Sequence, residues 1–332
     1  MKNIKLKSII VFVITVFILY ILLKDNFSII LNKITDINIL FFSVACLLFI
    51  VYFLVDSIAL FILTRMYNKS IKLSDIVKIG IETKFFNGIT PLASGGQPWQ
   101  VYRLGKHNIN YVNGTSIVSQ NYLLFQIAML IITSVSFVIF HFFDSFSSNN
   151  FLYLVTIIGF LINLLVLAFL LIIGFTKKIN YKVISFFVKI FAKLRFIKDY
   201  DTTLDNWKKR CETYRNNTIW LFNNKKILVF GVILYLISTS IYYFIPFFVF
   251  LSLGVNDISI TTIYILSSLI FIAGCFIPIP GASGGMEYAY LEYFSPFLSN
   301  QAVLYSTLII WRFITFYFPT FVGGLYFCFR KK

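Results

Sequence analysis

Two six-residue segments, Pro91-Leu-Ala-Ser-Gly-Gly96 and Pro280-Gly-Ala-Ser-Gly-Gly285, match at every position but the second, and each interrupts a hydrophobic stretch. Proline lacks a backbone donor and paired glycines weaken a helix, so both segments read as breaks. A helix that begins just after such a break presents free N–H groups and the positive end of its dipole at one point, a chemistry suited to an anion such as a phosphate. On this reading Ser94, Gly95 and Gly96 of the first copy, and Ser283, Gly284 and Gly285 of the second, are candidates to bind substrate. Capping the following helix is the commoner use of a serine at that place. After the first break Gln97, Gln100 and Arg103 recur at i, i+3 and i+6 and share roughly one helix face. Arg103 has a competing reading as an interfacial side chain that snorkels to water.

Charges within apolar sequence form a second set of candidates. Arg312 sits about ten residues into the last hydrophobic run, roughly 15 Å deep at 1.5 Å per residue. An unpaired arginine at that depth costs at least ~2.5–3.5 kcal/mol, so a partner is expected. Three acids are available: Glu287 and Glu292, just after the second break, and Asp56 in the second run. The pair would either pin two elements together or hold an anionic group, and buried pairs are weak evidence for net stability. Asp56 and Glu82 are also candidates for coupling or for an ion pair. Asn87, Gln120, Asn121 and Gln126 are polar residues in apolar surroundings, where hydrogen bonding between helices is the default. Tyr288, Tyr290 and Tyr293 fit an interfacial belt.

The elements that must carry these residues are membrane helices. The chain is 59% hydrophobic and 13% charged, with 40 phenylalanines and a mean hydropathy of +0.85. Runs long enough to cross ~30 Å of hydrocarbon fall at 8–24, 39–64, 115–143, 151–175, 227–252 and 302–329. The first is read as a retained span, with a cleaved signal as the minority reading. Lysine and arginine cluster at Lys2/Lys5/Lys7, Arg65 to Lys78, Arg103/Lys106, Lys177 to Lys226 and Arg330 to Lys332. All these clusters should be cytoplasmic, with both termini inside. The stretches 75–105 and 261–299 each hold one break. Their flanking charges predict re-entrant hairpins, entering from opposite faces because three crossings separate them. The expected fold is therefore an all-α polytopic membrane protein: a single integral membrane domain over 1–332, with about six full crossings and two re-entrant hairpins related as an inverted repeat.

The segment 177–226 is the only sizeable polar region. Val183, Phe187, Ile190, Phe191 and Leu194 recur there at helical spacing beside lysines, which predicts an interfacial helix that anionic headgroups would attract by ~1 kcal/mol per basic residue. The plainer reading is a loop that fixes topology. The net charge of +16 lies in short segments beside hydrophobic runs rather than in a nucleic-acid footprint. Two histidines and four scattered cysteines assemble neither a triad nor a metal site, and no Walker A sequence is present. No cofactor is expected.

The run Gly88-Ile-Thr-Pro-Leu-Ala-Ser-Gly-Gly-Gln-Pro-Trp-Gln100, with Ile277-Pro-Ile-Pro-Gly-Ala-Ser-Gly-Gly-Met-Glu287, resembles the membrane region of the lysylphosphatidylglycerol synthase/flippase family, the multiple peptide resistance factor group and its shorter stand-alone relatives. The resemblance extends over almost the whole chain. It implies a cell-membrane protein that handles an anionic or aminoacylated phosphatidylglycerol, with lipid-handling roles for Ser94 to Gln97, Ser283 to Gly285 and Glu287. In long members a C-terminal cytoplasmic domain makes the lipid. This sequence ends at Lys332, so catalysis is not expected of it alone, and a separately encoded transferase and a second copy of the chain are candidate partners. The leading expectation is a phospholipid translocase, with peptide resistance as the implied phenotype. Its rivals are the membrane component of a lysyl transferase system and a proton-coupled transporter of a small anion or amino acid. A fold-level likeness does not fix the lipid.

Overall fold

The computed structural model describes residues 37–142, 150–193, 199–298 and 300–329. The predicted crossing at 8–24 and the basic residues of both termini lie outside them. The helix α1 (Ile39–Arg65) starts at Asn38, whose side chain accepts from the Leu40 N–H. The helices α2 (Leu73–Gly88) and α3 (Gly96–Gly105) flank the first break, where Pro91–Ala93 make one 3-10 turn. Then come α4 (Tyr111–Phe142) and α5 (Asn150–Phe175), and two helices of the basic segment, α6 (Lys177–Lys193) and α7 (Tyr200–Asn223). Apolar sequence returns with α8 (Lys225–Ser252). The helices α9 (Ile260–Gly274) and α10 (Gly285–Phe294) flank the second break and its turn, Pro280–Ala282. The last run is α11 (Gln301–Arg312), a π-helical step over Phe313–Tyr317, and α12 (Phe318–Phe329). Five of these are long and apolar enough to cross a membrane: α1, α4, α5, α8 and the run from α11 through α12. They match five of the six predicted crossings. The described residues form helices and no strand, the architecture that closes every backbone hydrogen bond within a segment and suits a polytopic membrane protein.

The packing pattern is two-fold. The α1–break–α4 half matches the α8–break–α12 half, and exchanging them carries the main contacts into one another. The α1 helix packs on α2 as α8 packs on α9, and α3 on α4 as α10 on α11. The end of each half covers the other: α12 lies on α2, and α4 lies on α9. Two contacts are their own images, namely α1 against α8 and the first turn against the second. The repeated hexapeptides thus meet at the centre of the arrangement.

Two apolar clusters support this centre. One gathers Phe250, Leu269, Tyr290, Phe294 and Trp311 around α10; the other gathers Leu60, Leu63, Ile76, Ile79 and Tyr235 around α2. Tyr290 and Tyr293 belong to the first cluster and are not an interfacial belt. Tyr290 stacks on Trp311 at 5.0 Å, the Tyr293 hydroxyl bonds Thr156 at 2.7 Å, and Tyr288 alone of the three is exposed. Two of the four amides behave as expected of helix-to-helix ties: Gln120 donates to the Asn217 carbonyl across α4 and α7, and Gln126 to Asn163 across α4 and α5; the Oδ1 atoms of Asn87 and Asn121 are buried without a partner among the described residues. The basic segment holds two helices, α6 being tied to α7 by Lys177 to Glu212 at 2.9 Å; the carboxylate raises the pKa of that lysine. Of the predicted apolar set, Ile190 is exposed and Leu194 lies outside the described residues. Ile184 and Val188 pack inward.

A close helix approach is made by Gly323 of α12, where a Cβ would lie 2.4 Å from the Ile81 carbonyl oxygen of α2. Small residues permit such backbone contact between membrane helices. Gly323→Ala is expected to cost about 1–3 kcal/mol through overpacking and to lower the melting temperature in detergent. An unchanged melting temperature would show that the two helices are not in backbone contact.

Candidate functional site

The two turns begin alike. Thr90 and Ile279 are extended, and the second and third residues of each hexapeptide are left-handed: Leu92 (φ 54) and Ala93 (φ 51) in one, Gly281 (φ 65) and Ala282 (φ 52) in the other. A left-handed residue with a side chain costs roughly 1–2 kcal/mol, so three of these four positions are strained. The one sequence difference has a steric cause. A Cβ on Gly281 would lie 2.1 Å from Cζ of Phe316, whereas the Leu92 side chain is exposed. The turns diverge at the serine, where Ser94 stays helical (ψ −14) and Ser283 is extended (ψ 140), followed by Gly284 at φ 88.

Neither serine caps a helix. Gly95 and Gly284 occupy the cap positions, Ser94 is exposed, and Ser283 donates to the Pro280 carbonyl at 3.0 Å. The N–H groups expected to face an anion are used internally in this conformation. Ala93 and Ser94 donate to Thr90 and Pro91 carbonyls, and Gly95 donates to the Thr90 hydroxyl at 2.8 Å. Ala282 and Ser283 donate to Ile279 and Pro280 carbonyls. The Gly284 N–H meets Glu287 Oε2 at 2.7 Å, so a carboxylate of the chain itself occupies the N-terminus of α10. Gly96 serves close packing, since a Cβ there would lie 2.0 Å from Asn87 Oδ1.

Arg312 is buried, and its partner is Glu287: Nε to Oε1 is 2.7 Å, at 3% and 1% side-chain exposure. The guanidinium also donates to the Gly281 carbonyl at 2.8 Å and sits 4.6 Å over the Phe316 ring. Arg312 therefore ties the last run to the second turn and to the helix after it. Glu292 is half-buried, and neither it nor Asp56 takes that role. The first hairpin has its own pair, Glu82 of α2 with Arg103 of α3 at 2.9 Å, and the same Oε2 atom accepts from the Trp99 indole at 2.9 Å. Trp99 in turn stacks on Phe86 at 4.2 Å. The residues of α3 that act together are thus Trp99 and Arg103 at i, i+4. Gln97 is exposed and Gln100 half-buried.

A third constellation was not singled out from sequence. Lys84 of α2 donates to the Tyr52 hydroxyl at 3.2 Å and lies 4.8 Å over that ring. Asp56 lies one turn beyond Tyr52 on α1, with Tyr235 of α8 beside it. The Tyr52 and Tyr242 rings meet at a tilt with centroids 5.1 Å apart, and Thr315 of the π-helical step lies beside Tyr242. Lys84 and Asp56 attract one another without the direct ion pair that the other two couples make. The signal available in sequence was a lone lysine in the apolar face between Ile81 and Phe85. Among the described residues, no group of three His, Cys, Asp or Glu could hold a metal.

Two stability predictions follow from the turns and the pairs. Leu92→Gly should stabilise by about 1 kcal/mol by relieving left-handed strain, while Gly281→Leu should destabilise because Phe316 fills the space. Arg312→Ala strands a buried carboxylate and should cost about 3–5 kcal/mol, clearly more than Arg103→Ala, whose side chain is 14% exposed. Thermal unfolding in detergent ranks the four; equal losses for both arginines would refute the difference in burial.

Comparison with known proteins places this geometry. The uncharacterized protein MG306 of Mycoplasma genitalium is 20% identical over 266 residues, covering 75% of this chain and 67% of that one. A family model for the lysylphosphatidylglycerol synthase TM region matches residues 7–323, a span that contains both breaks, all three charged couples, four of the five long apolar helices and most of the fifth. With that match, the chain belongs to the lysylphosphatidylglycerol synthase transmembrane-region family and is a multi-pass membrane protein.

Proposed function

We propose that the chain is a phospholipid translocase of the cell membrane, moving an anionic or aminoacylated phosphatidylglycerol such as lysylphosphatidylglycerol between leaflets. The observation that carries this reading is the contact of the two turns at the centre of a two-fold bundle. In this reading α2–turn–α3 and α9–turn–α10 are re-entrant hairpins. With 8–24 as a sixth crossing and both termini cytoplasmic, they enter from opposite faces, so their turns meet near the midplane. Broken backbone is tolerated at that depth only where protein or a wet cavity covers it, which is where a headgroup must pass.

Rocking one hairpin against the other would open the centre to each face in turn. The amides of Ser94, Gly95 and Gly96, and of Ser283, Gly284 and Gly285, would then exchange internal partners for a headgroup, with Gln97, Gln100, Arg103, Glu292 and the Glu287–Arg312 pair bordering the path. Delivery of a cationic lipid to the outer leaflet would weaken the attraction of cationic peptides, and a separately encoded transferase would supply the lipid.

Leaflet exchange of headgroup-labelled phosphatidylglycerol and lysylphosphatidylglycerol in proteoliposomes tests the reading. Native protein should accelerate exchange over protein-free vesicles. In a background without the native cysteines, Ala93→Cys with Ala282→Cys should stop exchange on oxidation and restore it on reduction. Folded native protein that exchanges neither lipid would end the translocase reading.

A further inference from the structure

We infer that Lys84 and Asp56, with the tyrosines around them, form a binding site for a zwitterion carrying one primary ammonium and one phosphodiester or phosphate. The inference goes beyond the translocase reading: phosphatidylglycerol carries a net negative charge and lysylphosphatidylglycerol a second ammonium, whereas this site suits a net-neutral headgroup beside the turns.

Two pairs of opposite charges lie buried among the described helices, Glu287 with Arg312 and Glu82 with Arg103, each in direct contact; Glu287, Arg312 and Glu82 also meet backbone, thioether or indole neighbours. Their chemistry is spent on holding each hairpin in shape. Lys84 and Asp56 differ in three respects. Both are half-buried rather than sealed. Lys84 is held by the neutral Tyr52 hydroxyl instead of by the opposite charge, and Tyr235 lies beside the Asp56 carboxylate. They come from different elements, α2 of the first hairpin and α1, so a ligand bridging them would join the hairpin to the scaffold.

A single cation and a single anion held apart complement a ligand with the opposite pair. Its phosphate would replace Tyr52 as the acceptor for Lys84, and its ammonium would donate to Asp56 and face the Tyr52 and Tyr242 rings, whose π faces attract cations. An anion alone would satisfy Lys84 but leave Asp56 repelling it; a cation alone would do the reverse. The expected preference is therefore a net-neutral zwitterion over either singly charged headgroup. Tyr242 also lies beside Thr315, three residues beyond Arg312, so occupancy would be felt at the last run.

The test is equilibrium binding to the purified full chain in neutral detergent, which needs no transport. The probes are dihexanoyl phosphatidylethanolamine, dihexanoyl phosphatidylglycerol and soluble phosphoethanolamine. The ethanolamine lipid should bind at least about tenfold tighter than the glycerol lipid, and Lys84→Gln and Asp56→Asn should each remove about tenfold of that affinity. Tyr52→Phe keeps the ring and the fold while freeing Lys84 from its hydroxyl, and should keep or tighten binding; it serves if a charge variant fails to fold. Phosphoethanolamine binding as tightly as the lipid assigns the site to soluble zwitterions, and weaker binding assigns it to lipid. Equal affinity for the two lipids, or full affinity in both charge variants, overturns the inference whatever the exchange assay gives. Absence of exchange with zwitterion binding intact would overturn only the translocase reading.

Discussion

If the two breaks are re-entrant, as proposed, their polar groups must be satisfied away from water, and most of the arrangement follows from how this is done. An unsatisfied amide or carbonyl in hydrocarbon costs several kcal/mol, so a break survives only with partners built for it. The first break closes on itself through Thr90, whose carbonyl and hydroxyl take two of its N–H groups. The second calls on distant sequence: Glu287 takes the Gly284 N–H, and Arg312 takes the Gly281 carbonyl. Each charged member of that solution then needs the other, so the buried ion pair is a consequence of the break rather than an addition to it. The last run is fixed against the second turn for the same reason.

This asymmetry between two otherwise matching halves bears on what can move. The first turn depends on contacts within three to five residues, while the second is locked to a separate helix by a charged pair at 3% and 1% exposure. Separating a buried pair costs more than exchanging hydroxyl hydrogen bonds. A rocking motion about the centre is thus easier if α2 and α3 move and the second turn stays with the last run. Lys84 lies on the arm that would move and Asp56 on the helix that packs most extensively on α8, which places the two charges on opposite sides of such a motion.

Much of this was legible in sequence, for reasons that can be stated residue by residue. Hydrophobic runs of about 20 residues have one structural solution in a bilayer, and five of them became long helices. Arg312 demanded an acid, and three were named, but choosing Glu287 needed the second turn in three dimensions. For Ser94 and Ser283 it is the capping alternative that fails, because a further glycine intervenes and takes the cap position. Tyr290 and Tyr293 were placed at an interface because tyrosine is common there; the fold buries them at 0% and 3% because α10 runs inward beside Phe250 and Trp311. Lys84 carries no such mark in the sequence, where a lone lysine in an apolar helix equally suits snorkelling, and only the packing of α1 against α2 shows its ammonium at the Tyr52 hydroxyl and ring.

The strain at the turns can be weighed against the same constraint. Three residues with side chains sit in the left-handed region, at a cost of about 1–2 kcal/mol each, where glycine would have cost less. Only at Gly281 does the neighbouring ring forbid anything larger. Steric need therefore explains glycine at one of the four positions and leaves Leu92, Ala93 and Ala282 strained without a local reason. Strain of this kind persists when surrounding structure over-determines it, and what surrounds each turn is chiefly the other turn. In the proposed translocase, separating the turns would release that strain, so the contact that holds the centre closed would also lower the cost of opening it.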